Sequence, residues 1–95
     1  MATLYNAKGG RRYVHPKTAK WKQSEISSLL GTKNHTFIPM DTEVMVFATN
    51  IQPETPTNYE ATRYLSMKVR DSKVLKGHNG IVLGDALVIP ITELE

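Results

Sequence analysis

The sequence predicts an α+β fold dominated by β structure, either a small antiparallel barrel or a strongly bent sheet, with about five or six short strands and one helix. Three observations lead there. Ile81-Val82-Leu83 and Ala86-Leu87-Val88-Ile89 are apolar runs separated by Gly84-Asp85, the pattern of a tight hairpin buried on both faces. Further short runs rich in β-branched and aromatic residues recur along the chain, bounded by glycine, proline and asparagine. Helical spacing is confined to one stretch near Trp21–Leu30. At 95 residues the chain forms one domain, residues 1–95, with a single modest core. Barrel closure would remove edges that so small a chain has little else to cover.

The elements follow in order. Thr3–Tyr5 and Arg11–Val14 pair as a hairpin over Asn6–Gly10, and Pro16 keeps His15 extended. Thr18–Leu30 is the helix: Ile26, Leu29 and Leu30 give the i, i+3, i+4 face, Ser24 offers a later start as N-cap, and Gly31 ends it. Trp21, close to that face, is expected in the core. Thr32–Met40 connects, with Pro39 interrupting the β-prone Thr36-Phe37-Ile38. Glu43–Ala48 is a strand by its Val44, Val46 and Phe47. Asn50–Asn58, with Pro53 and Pro56, is a surface loop.

Glu60–Arg70 reads as an alternating strand. Ala61, Leu65, Met67 and Val69 lie on one face, and Tyr64, Lys68 and Arg70 on the other. Arg63 breaks the apolar side and is placed near a sheet end. After Asp71-Ser72, Val74-Leu75 adds a short segment, and residues 77–80 form a loop before the hairpin, whose turn sets Leu83 opposite Ala86. Ile91 and Leu94 tuck against the core.

Composition narrows the functional classes. With no cysteine, disulfides, thiolate metal sites and cysteine nucleophiles are excluded. No run is long enough for a membrane span. The first residues lack the apolar core of a signal peptide, so a cytoplasmic protein is expected. The net charge of +3 conceals an asymmetry. Residues 1–23 hold six cations and no acid, whereas residues 24–62 hold Lys33 against five acids. Such separation bears on partners rather than on fold.

Catalytic and metal chemistry find little support. His15, His35 and His78 have no ligand spacing and are expected on exposed loops. Asp41 and Glu43 would share one face of a strand, where a carboxylate pair serves acid–base work or Mg²⁺, but a solvated strand end is by far the plainer explanation. No serine sits in a nucleophile elbow. Lys8-Gly9-Gly10-Arg11-Arg12 resembles an anion cradle without the Walker spacing, and a flexible hairpin tip is the plainer explanation. The expectation is a non-enzymatic protein without a cofactor.

Residues 23–37 resemble the helix-turn-helix core of bacterial regulators. Glu25-Ile26, Ser27, Leu29-Leu30, Gly31 and Phe37 occupy that pattern's positions. The resemblance implies duplex DNA binding and a second helix over Lys33 to Ile38.

The most suggestive constellation interleaves cations with aromatics. Arg11, Arg12, Tyr13, Lys17, Lys20 and Lys22 occupy the first quarter of the chain, and Tyr64, Lys68 and Arg70 share a strand face. Cations meet phosphates and aromatic rings stack on bases, so the expected partner is RNA or single-stranded DNA, with Tyr13 and Tyr64 as stacking platforms. A protein-binding inhibitor or adaptor of viral or mobile-element type would also fit the acidic middle and the proline-containing loop. An exposed strand edge would allow a homodimer.

Overall fold

In the computed structural model, which describes residues 1–49, 54–68 and 81–94, five antiparallel strands form an open sheet with two helices. The elements are β1 (Ala2–Tyr5), β2 (Arg11–Val14), α1 (Gln23–Leu30), β3 (His35–Met40), β4 (Glu43–Ala48), α2 (Tyr59–Lys68) and β5 (Ala86–Pro90), followed by a single 3₁₀ turn, Ile91–Glu93. The strand order is β2-β1-β5-β4-β3. The sheet does not close into a barrel, and β2 and β3 are its two edges.

The central strand explains the arrangement. Along β5, Ala86 and Val88 join one core while Leu87 and Ile89 join the other, as a two-residue period requires. β4 repeats the alternation, with Met45 and Phe47 against Val44 and Val46. Ala61 and Leu65 of α2 complete the first core, and Trp21 with Ile26 of α1 completes the second. The helices therefore cover opposite faces, giving three layers. A strand apolar on both sides has no other stable place.

The Ile81–Ile89 stretch thus holds the organising strand but not a hairpin. Its second arm pairs with β1 and β4, for example Leu87 with Leu4 and with Val46. The first arm does not fold back on it: Leu83 bridges Thr57 instead of facing Ala86. Gly84, at φ +77°, makes the bend that only glycine adopts readily, and its N–H donates to the Pro56 carbonyl at 2.9 Å.

Residues 60–68 are helix, not strand. Ala61 and Leu65 are four apart, a spacing that both periods place on one face. Arg63 and Met67 decide between them. A strand would bury both with Ala61, whereas both are exposed, Met67 to 67%. Arg63 therefore lies on the outer side of a helix rather than at a sheet end. Asn58, expected on a surface loop, is wholly buried and caps α2, its Oδ1 accepting the Ala61 N–H at 3.0 Å. Its Nδ2 donates to the carbonyls of Tyr5 (3.0 Å) and Gly84 (2.9 Å). Val69, Arg70, residues 71–80 and most of the Asn50–Asn58 loop's first half lie outside the described residues.

Three further expectations change. Thr32–Met40 is not merely a connection: His35–Met40 forms β3, whose edge position tolerates Pro39 opposite Val44. That strand also occupies the place of the second helix over Lys33–Ile38, so the helix-turn-helix geometry is absent. The helix expected from Thr18 begins only at Gln23, with Lys22 at the N-cap and Ser24 already inside. It stops at Gly31 as read from the sequence: Gly31 adopts φ +73°, and the Thr32 N–H donates to the Ser27 carbonyl at 3.1 Å. The β1–β2 hairpin, the strand Glu43–Ala48 and the buried Trp21 are as expected. Leu94 packs against the second core while Ile91 stays exposed. Among the described residues no helix is long and apolar enough to cross a membrane.

Replacing Asn58 with alanine removes three hydrogen bonds, those to the Tyr5 and Gly84 carbonyls and that from the Ala61 N–H. The expected cost is about 3 kcal/mol, measured as a lower urea midpoint at unchanged slope.

Candidate functional site

The cations of the N-terminal quarter start on the edge strand β2 and run across the α1 side, where Lys22, at the start of α1, shares a pocket with Phe37 of the other edge strand, β3. Tyr5 of the first core pairs with Arg11, and Leu4 of the second core pairs with Arg12. Alternation therefore sends Arg11 to the α2 side and Arg12 to the α1 side of β2. Beyond β2 the chain turns at His15-Pro16 and carries Lys17, Lys20 and Lys22 in an exposed segment before α1. Glu25 fastens this segment to the helix: its carboxylate accepts the Lys17 N–H at 2.9 Å and the Lys22 N–H at 3.4 Å. Among the described residues the one ion pair joins the Met1 amino group to Glu93, so none of these lysine and arginine side chains is neutralised by a carboxylate.

A furrow of about 540 Å³ runs between β2 and α1. Val14, Trp21 and Leu29 form its apolar part, and Tyr13, His15 and Lys17 lie along the β2 side. Ser24, Glu25 and Ser28 line it from the helix. Trp21 is only 2% exposed. Its main-chain N–H donates to the Glu93 carbonyl at 2.6 Å, and its indole N–H donates to the Glu93 carboxylate at 3.3 Å. Tyr13, by contrast, is 62% exposed. A smaller pocket of about 250 Å³ adjoins, sharing Leu29 and bordered by Arg11, Arg12 and Asp85.

On the opposite side, Arg11 shares a cleft with Tyr5, Glu60, Arg63, Tyr64 and Met67. Tyr64, placed on α2 rather than on a strand, is largely engaged. Its ring lies 5.7 Å from that of Tyr5, the Lys68 ammonium sits 5.5 Å from its centroid, and its hydroxyl donates to the Glu43 carboxylate. Little of the Tyr64 ring is left free, whereas Tyr13 is exposed. Arg63, not singled out from the sequence, joins Arg11 because the helix turns it toward β2. Arg70 lies outside the described residues.

The other sequence candidates separate. Asp41 occupies the β3–β4 turn at φ +62°, while Glu43 accepts the Tyr64 hydroxyl, so the two carboxylates do not act as a pair. Among the described residues no three His, Asp or Glu side chains gather as a metal would require. His35 is half-buried in β3 rather than exposed on a loop, edge-on to Phe37 at 5.3 Å. His78 lies outside the described residues. At the Lys8–Arg12 tip the first N–H groups are committed elsewhere. Ala7 donates to Asp85, Lys8 to the Asn6 side chain and Gly9 to the Asn6 carbonyl. An anion cradle needs those donors free.

Two phenols are electrostatically tuned. Burial, then the hydrogen bond to Glu43, raises the Tyr64 pKa well above its ordinary value. Burial also raises that of Tyr5, offset in part by the Arg11 guanidinium beside it. A phenol that holds its proton more tightly when folded contributes stability below the unfolded pKa and loses it as pH rises through the native one. Thermal stability is expected to fall from about pH 10 upward, and in Tyr64→Phe part of that alkaline loss should disappear. Compared with protein-family models, curated proteins and solved structures, the chain matches none.

Proposed function

We propose that this protein binds single-stranded nucleic acid, RNA or DNA, without catalysing a reaction on it. The observation that supports this reading is the cluster of exposed, carboxylate-free cations along β2 and the segment that follows. Arg11, Arg12, Lys17, Lys20 and Lys22 meet phosphates, Lys68 extends the cationic border on the α2 side, and Tyr13 offers an aromatic face. Cations flanking both sides of one narrow edge suit a flexible strand that can bend around it better than a rigid duplex. The helices cover both sheet faces, so bases stack beside the sheet rather than across it.

A bound single strand neutralising six cations should show a log–log salt dependence with a slope of about −4. The double variant Arg11→Glu/Arg12→Glu should lose at least about a hundredfold in affinity at unchanged thermal stability, since two favourable phosphate contacts become repulsive. Fluorescence anisotropy with labelled RNA, single-stranded DNA and duplex DNA reads both quantities. Undiminished affinity in the double variant would sink the reading. A protein complex that survives nuclease treatment would replace it with a protein-binding role.

A further inference from the structure

We infer that the furrow between β2 and α1 is a base-binding subsite, taking one nucleotide unit with its planar base against Val14 and Leu29 and its flanking phosphates on Arg12 and Lys17. This inference rests on the nucleic-acid reading above and adds to it a place where the base itself is held.

The furrow has the size of a small-ligand site, about 540 Å³, within the several-hundred-Å³ range usual for such sites. Its floor is rigid. The Trp21 ring cannot swing out, because both its main-chain and indole N–H groups are bound to Glu93. Val14 and Leu29 pack against the second core yet remain only half-buried, so apolar surface is left for a planar ring. Tyr13 borders the furrow, but alternation along β2 turns its ring to the α2 side with Arg11, so the base rests on Val14 and Leu29. Ser24 and Ser28, one helical turn apart, border the furrow with exposed hydroxyls that make no hydrogen bond to the described protein. Hydroxyls that both donate and accept fit the mixed edge of a nucleobase.

The charges are placed for the phosphates. Lys17 stands at the furrow, its backbone held by Glu25. Arg12 follows on the other side of Leu29, which borders both the furrow and the adjoining pocket. Glu25 also lines the furrow, but both its oxygens already accept main-chain N–H groups. An extended peptide added to β2 is the competing occupant. The paired arginines on that short strand work against it, since charge on an edge strand is a common means of keeping other strands off.

Trp21 is the sole tryptophan, so its emission reports occupancy without a label. The test titrates the protein with a short oligodeoxythymidylate, an abasic oligomer with the same number of phosphates, and adenosine monophosphate. The oligomer carrying bases should bind at least about tenfold tighter than the abasic one and should shift Trp21 emission. Ser28→Phe, which fills the furrow from an exposed helix position, should abolish that preference while leaving affinity for the abasic oligomer unchanged. Equal affinity for the two oligomers, or binding with unmoved Trp21 emission, would overturn the subsite and leave the polyanion reading standing. An emission shift with adenosine monophosphate but no oligomer binding would keep the subsite as a site for free nucleotides and reject the strand. An acidic peptide that shifts Trp21 emission where no nucleotide does would reassign the furrow to a protein. Failure of all probes would remove subsite and parent reading together.

Discussion

One buried amide ties together three parts of the chain that are distant in sequence. The Asn58 side chain is inaccessible to water and holds the end of β1, the bend before β5 and the first turn of α2. Its main chain adds to this: the Asn58 N–H donates to the Val82 carbonyl, and its carbonyl accepts the Thr62 N–H. Burying so polar a group is tolerable only because every partner is present. The position of α2 against the sheet, and with it the placing of Arg63 and Tyr64 beside Arg11, depends on that junction.

The layering then decides where function can lie. With helices on both faces, the sheet offers only its edges and the furrows beside them. β3 carries Pro39, which cannot donate to a further strand. β2 carries Arg11 and Arg12, which repel a cationic partner and discourage strand addition. The same two arginines thus discourage strand addition at this edge and, in the function proposed above, are the groups that would meet a polyanion. The furrow exists because α1 covers β5 and the second core but leaves Val14 only half-buried.

Several features were legible in the sequence because local chemistry set them. The β1–β2 hairpin, the Gly31 stop, the Glu43–Ala48 strand and the burial of Trp21 each rest on short-range signals. The concentration of cations in residues 1–23 could also be read directly, although its course from β2 to the start of α1 could not. The misreadings have a common physical origin. In 60–68 the residues Ala61 and Leu65 satisfy two periods at once, and the arginine that broke the strand pattern was itself the helical signal. The cap that starts this helix, Asn58, sat in a segment resembling any polar loop. The Gly84-Asp85 pair is good hairpin chemistry, but β5 gains more by pairing with β1 and β4 than with its own preceding residues. Closure into a barrel was unnecessary once a second helix covered the other face. The furrow arises from the packing of α1 beside β2, which no local pattern in either segment specifies.

The position of β5 between β1 and β4 has a consequence for how the chain is made. The two hairpins, β1–β2 and β3–β4, consist of neighbours in sequence and can pair early, but the strand that joins them comes last. Until Ala86–Pro90 leaves the ribosome, each hairpin keeps an unpaired inner edge and both cores lack their central layer. Nascent chains would be exposed to chaperones and to pairing with one another during that interval, and assembly would await a long loop closure. The strand buried most completely in the finished protein is thus the one whose arrival governs the timing of its birth.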